Sequence, residues 1–161
     1  EPAQKKFSIN DLLNELLEFS TNIVVPENIR IFRDLDSGNP MVRGDSDLLK
    51  QVFLNLIRNG IQAMPGGGEL RITSCENIDG TESEKKVNRF VTITVSDTGI
   101  GIPPQNLQKI FNPFFTTKAR GTGLGMAIAY NIIKAHQGTI EVESQENQGS
   151  RFVVKIPNWS G

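Results

Sequence analysis

Two glycine-rich stretches, Asp97-Thr98-Gly99-Ile100-Gly101 and Gly121-Thr122-Gly123-Leu124-Gly125, lie twenty positions apart with Phe114-Phe115-Thr116-Thr117-Lys118 between them. Glycine gathers where backbone must approach something closely or take a positive φ. The first stretch follows the β-branched run Val91-Thr92-Ile93-Thr94-Val95, and the second opens a helical pattern. An acid at a strand's end and a glycine-rich helix start together describe a site for a purine and its phosphates. A third piece, Asn55-Leu56-Ile57-Arg58-Asn59, sits upstream on a predicted helix.

The rest of the chain is an ordinary globular sequence. Its 161 residues suffice for one compact domain with a real core. Seventeen Lys and Arg balance eighteen Asp and Glu, so neither nucleic acid nor an anionic membrane is the expected partner. No apolar run approaches the roughly 18 residues a membrane helix needs. The single Cys75 cannot form an internal disulfide, which fits a reducing, cytoplasmic setting. Starting at Glu1, the sequence reads as a piece of a longer protein, whose parent can be membrane-anchored.

Residues 1–6 are polar and read as a leader or linker remnant, with the domain covering 7–161. Leu12, Leu13, Leu16 and Leu17 mark a helix that Asn10 or Asp11 can cap. Ile29–Arg33 reads as a strand. Asp45 or Ser46 can cap a helix over about 47–63, with Leu48, Val52, Leu56 and Ala63 among its buried positions. Glu69–Cys75 and Arg89–Ser96 alternate as strands, with a surface loop or hairpin tip over Asn77–Asn88. Pro103-Pro104 opens a short helix through Ile110. A further helix spans Thr122–His136, and Thr139–Ser144 and Arg151–Ile156 form a final hairpin around Asn147-Gln148-Gly149. The predicted fold is α/β (α+β): a two-layer sandwich, a mixed sheet with helices on one face.

Each chemical piece also has a plain structural reading. Asp97 can accept a hydrogen bond from an exocyclic amine such as adenine N6, or simply begin a turn. Gly121–Gly125 can present helix N–H groups to phosphate, or be a hinge. It is not a P-loop, because no Lys-Ser/Thr follows the last glycine, and its spacing differs from a dinucleotide fingerprint. Asn55 and Asn59 share a helix face, where an amide oxygen can ligate Mg²⁺ or one amide can bond a neighbouring loop. Lys118 and Arg120 can reach phosphate or lie in solvent. His136, near a helix end, reads as a cap or packed residue rather than a catalyst.

In this order the pieces resemble the catalytic ATP-binding domain of sensor histidine kinases, within the superfamily of type II topoisomerase ATPase domains, Hsp90 and MutL. Leu48–Ala63 matches the asparagine box, Asp97–Gly101 the first glycine box, Asn112–Lys118 the phenylalanine box, and Gly121–Met126 the second glycine box. The match spans roughly residues 7–157. Phe-Phe-Thr-Thr-Lys and Asn-Gly-Ile-Gln-Ala look most like the nitrogen-regulation subtype. The resemblance implies the Bergerat fold, with ATP and Mg²⁺ bound. It implies that Asp97 holds the adenine amine, that Gly99, Gly101 and Ile102 shape the base pocket, and that Asn59 ligates the metal beside Asn55. Residues 112–122 would be a mobile lid carrying Thr117 and Lys118, with Lys118 on phosphate. Gly121, Thr122, Gly123, Leu124 and Gly125 would cradle phosphates.

The implied activity is transfer of the γ-phosphate to a histidine on a separate dimerisation domain of the parent, serving a downstream response regulator. Asn55, Asn59 and Lys118 would be the residues acting in that transfer. Where related ATP hydrolases carry a glutamate, this chain has Asn55, and an amide is no general base, so hydrolysis should be poor. Gly60 replaces a common alanine, with no functional consequence expected. The acceptor histidine is not in this chain, since His136 matches the His-Gly-Gly stretch after the lid helix. Steady phosphate release would instead favour an ATP hydrolase, and lack of nucleotide affinity a degenerate binding module.

Overall fold

A computed structural model describes residues 5–19, 23–79, 88–112 and 125–158. The elements run β1 (Lys5–Ser8), α1 (Ile9–Phe19), β2 (Ile29–Asp34), β3 (Met41–Gly44), α2 (Ser46–Gln62), β4 (Gly68–Asp79), β5 (Asn88–Asp97), α3 (Pro104–Leu107), α4 (Gly125–Ala135), β6 (Thr139–Gln145) and β7 (Gly149–Pro157). Five strands form a mixed sheet in the order β2-β4-β5-β7-β6, and β1 and β3 form a separate ribbon. β2 runs parallel to β4, while the other pairs are antiparallel.

Strand alternation builds the two layers. Leu70, Ile72, Val91, Ile93, Val95, Phe152, Val154 and Ile156 are buried in the core shared with the helices. Between them, Arg71, Arg151 and Lys155 are exposed on the opposite face. There Arg71 lies over the Phe32 ring and Lys155 over Phe90, at 4.8 and 5.2 Å from the ring centroids. The helices answer with Leu13, Val52, Phe53, Leu56, Ile57, Ala129 and Ile133. Phe53 is fully buried, and truncating such a side chain costs about 3–5 kcal/mol.

The two-layer sandwich expected from the sequence is what forms, with differences of detail. The helix α2 is capped by Asp45, which accepts from the Asp47 and Leu48 N–H groups. Its buried stripe is Leu49, Val52, Phe53, Leu56, Ile57 and Gly60, so Leu48 and Ala63 are half-buried at its margins. Ser8, rather than Asn10 or Asp11, starts α1, accepting from the Asp11 N–H at 3.0 Å. Asn10 is instead turned inward, where it donates to Asp36 O and accepts from Ser74 Oγ. Lys5 and Lys6 belong to β1, whereas the sequence reading put them in the leader. Four-residue strands such as β1 and β3 are too short to show alternation, so neither was expected. The helix after Pro103 ends at Leu107 and continues as turns, while β4 and β5 run longer than expected, to Asp79 and from Asn88.

Candidate functional site

Three elements meet here: Gly60 in the C-terminal half of α2 lies against the end of β5, and Asn55 of the same helix holds the start of α4. Asp97 closes β5, paired with Leu70 on β4 and Ser150 on β7. Its residue is only 9% exposed. Oδ1 accepts the Gly99 N–H at 2.9 Å, and the Ser150 N–H also bonds the carboxylate. Burial pushes its pKa above the ordinary 3.8, outweighing the pull of those two N–H groups. A desolvated carboxylate of this kind favours a further hydrogen-bond donor.

The glycines of the first box are explained by contact with their own chain. A Cβ on Gly99 would lie 2.1 Å from Ala63 O. Gly101 has φ 72° and approaches Gln145 O, which an added Cβ would meet at 2.2 Å. These close approaches let the loop clamp on both sides. The Ile100 N–H donates to Ala63 O at 2.9 Å, satisfying a carbonyl at the end of α2. Ile100 O accepts the Asn147 N–H at 2.7 Å, and the Ile102 N–H donates to Ser144 Oγ at 2.7 Å. Gly99, Gly101 and Ile102 thus fix the loop between α2 and the β6–β7 turn.

Asn55 and Asn59 lie half-buried on one face of α2. Asn55 Nδ2 donates to Gly125 O at 3.3 Å, tying α2 to the first residue of α4. That is the plainer of the two sequence readings for an asparagine here, and the bond uses the amide nitrogen, not the oxygen. Among the described residues no cluster of three or more His, Cys, Asp or Glu could hold a metal. A cation would therefore depend on amide oxygen with phosphate and water, a donor set that suits Mg²⁺. Thr117, Lys118, Gly121, Thr122, Gly123 and Leu124 lie outside the described residues.

Several contributors were not read from the sequence. Ser150 and Gly149 pack on Asp97 because β7 is its strand neighbour, and Gly149, at φ 123°, approaches Asp97 O. The Asn147-Gln148-Gly149 turn was visible, but not that it folds over a residue fifty positions upstream. Gly60 faces the same spot. An added Cβ would meet Leu70 Cδ1 at 2.7 Å and sit 3.7 Å from Asp97 Oδ2, so its missing side chain has a local reason.

Comparison with known proteins agrees with this geometry. Residues 44–160 match the family described as histidine kinase-, DNA gyrase B- and HSP90-like ATPase. The sensor histidine kinase ZraS of Escherichia coli K12 is 38% identical over 96% of this chain and 31% of its own length. The catalytic domain of histidine kinase ThkA superposes with a TM-score of 0.77 at 36% identity, covering 96% of this chain and 95% of that one. Full-length ShkA in complex with AMPPNP gives a TM-score of 0.77 at 26% identity, covering 100% of this chain and 32% of that one. The chain spans from about a fifth to about a third of the length of the curated relatives it matches. It belongs to the histidine kinase-, DNA gyrase B- and HSP90-like ATPase family.

Proposed function

We propose that this chain is the ATP-binding catalytic domain of a sensor histidine kinase. It would bind Mg·ATP and present the γ-phosphate to a histidine on a separate dimerisation domain of its parent. The observation that carries the reading is Asp97, a buried carboxylate with raised pKa at a strand's end beside Gly60 of α2, the helix whose Asn55 holds the start of α4. An amine-bearing purine supplies the donor such a carboxylate favours, and phosphates suit a helix start.

Each residue would act by position. Asp97 holds the exocyclic amine. The loop of Gly99, Gly101 and Ile102, locked onto Ala63 and Ser144, shapes the base pocket. Gly121–Gly125 would carry phosphate, with Lys118 and Thr117 as further phosphate-binding residues. Asn59 offers its oxygen to Mg²⁺, with Asn55 alongside; the ion, when bound, neutralises charge on the phosphates. The acceptor imidazole nitrogen attacks the γ-phosphorus, the bond to the β,γ-bridging oxygen breaks, and ADP leaves. Asn55 cannot take a proton from water, which favours transfer over hydrolysis.

A downstream response regulator would receive the phosphate, and the domain would work in the cytoplasm. No helix among the described residues is long and apolar enough to cross a membrane. Calorimetric titration with ATP, with and without Mg²⁺, tests the binding. The chain should bind ATP, should incorporate no phosphate by itself, and should phosphorylate a separately supplied histidine-bearing domain. A folded sample without affinity for ATP would overturn the reading.

A further inference from the structure

We propose that His136 is a positioning residue: it fixes where α4 sits along α2, and thereby where the phosphate end of the site lies. The inference rests on the nucleotide reading above.

The two helices run antiparallel, with a polar tie to α2 at each end of α4. Asn55 of α2 holds Gly125 O at the start of α4. At the other end, the Asp45 N–H donates to His136 Nε2 at 3.0 Å. Ten positions separate Asp45 from Asn55 (55 − 45) and eleven separate Gly125 from His136 (136 − 125), so the ties bracket nearly equal lengths of the two chain segments. Between them the buried residues of α4 are Ala127, Ala129, Ile132 and Ile133. Ala127 and Ala129 give little to interlock, while Ile132 and Ile133 pack near the His136 end. The two hydrogen bonds are directional, so they add a constraint on register that apolar burial alone lacks.

His136 is built for one of them. It is 4% exposed, so water cannot stand in for its partners. Nδ1 lies 2.7 Å from Ile132 O, and a carbonyl only accepts, so the ring hydrogen is on Nδ1. Nε2 is then the acceptor for Asp45. The donor is the backbone of the residue that caps α2, which ties the first turn of one helix to the end of the other. Gly44 makes room: a Cβ there would lie 2.4 Å from His136 Cδ2. A simple cap on α4 needs only the bond to Ile132; the Asp45 bond is the additional feature.

The test separates the two bonds. In His136→Asn the amide can replace Nδ1 and keep Ile132 O, while the acceptor for Asp45 is lost. In His136→Gln the side-chain oxygen can reach the Nε2 place and keep Asp45. Dissociation constants are measured for adenosine, ADP and ATP, with folding checked by thermal unfolding. The Asn variant should weaken ADP and ATP about five- to tenfold, the worth of one hydrogen bond, and leave adenosine unchanged. The Gln variant should stay near the wild type. Equal weakening of all three ligands, no weakening by Asn, or Gln as weak as Asn would overturn the proposal.

A second measurement needs no variant. Coupling is reciprocal, so saturating ADP should slow hydrogen exchange at the Asp45 amide of the wild type by a similar factor. Unchanged exchange there would overturn the proposal even if the Asn variant does not fold. A wild-type chain that binds none of the three ligands would sink the nucleotide reading itself, and this inference with it.

Discussion

Asp36-Ser37-Gly38 and Asp97-Thr98-Gly99 are the same local structure put to different ends. In each, aspartate Oδ1 accepts the N–H two residues on, at 2.8 Å from Gly38 and 2.9 Å from Gly99. Each carboxylate takes a second backbone donor from a neighbouring strand, Glu76 for Asp36 and Ser150 for Asp97. Yet Asp36 is held below the ordinary carboxylate range, by the Glu76 and then the Gly38 N–H, while burial drives Asp97 above it. Water still reaches Asp36, so its hydrogen bonds decide the sign. Asp97 is far less open to water, so desolvation does. Asp36 is satisfied and joins a structural network with Asn10 and Ser74. Asp97 still favours a donor that a ligand can bring.

Exchanging the two roles breaks this comparison most sharply. Asp97→Asn should weaken ATP about tenfold to a hundredfold, the worth of a charge-assisted hydrogen bond, while the protein stays folded, because relief of the buried charge offsets the backbone donor left without an acceptor. Titration calorimetry and a melting curve on the same sample check both halves. A variant that loses binding only by melting would contradict the distinction.

The glycines come next. Gly99→Ala drives a Cβ to 2.1 Å from the Ala63 backbone oxygen, whereas in Gly38→Ala the contact is 3.2 Å, to the Asp36 side chain. The first should cost about 1–3 kcal/mol in denaturant unfolding, and the second much less. Equal costs would show that the loop over α2 can move aside.

Smaller is Asp36→Asn, where one of two backbone donors loses its acceptor. About 1 kcal/mol of stability should go, lowering Tm by about 2–4 °C. ATP affinity should not change; if it did, the two ends of the sheet would be coupled.

Acid should give the smallest effect, with opposite signs at the two sites. Asp36, lowered, contributes stability above pH 3.8 that is lost as pH falls through its folded pKa. Asp97, raised, binds its proton more readily folded than unfolded. Between pH 3.8 and its folded pKa it therefore makes stability fall as pH rises. Comparing Tm against pH for the wild type and each Asn variant isolates the two slopes, and the part of the decline in ATP affinity on acidification that Asp97 carries should be absent in Asp97→Asn.

This pair also marks what the sequence discloses. Asp97 was legible because a β-branched run precedes it and a second glycine cluster follows downstream. The layered architecture, the cap at Asp45 and the asparagine face of α2 were legible from periodicity and local chemistry. Asp36 was not, because its second partner, Glu76, is brought by strand pairing forty positions away. The same holds for Ser150 against Asp97 and for His136 against Asp45, which join residues fifty-three and ninety-one positions apart. Local rules place a residue on an element, but only the assembled sheet decides which carboxylate is dry.

The central claim is that Asp97 reads the exocyclic amine of adenine. Calorimetry of the wild-type chain with ATP and with inosine triphosphate, at equal Mg²⁺, addresses it without any substitution. Inosine carries an oxygen acceptor where adenine carries the amine, and would turn that oxygen toward the carboxylate. The account expects ATP to bind and inosine triphosphate to bind at least about tenfold more weakly, the loss of a hydrogen bond to a charged group. Equal affinity for the two would contradict it.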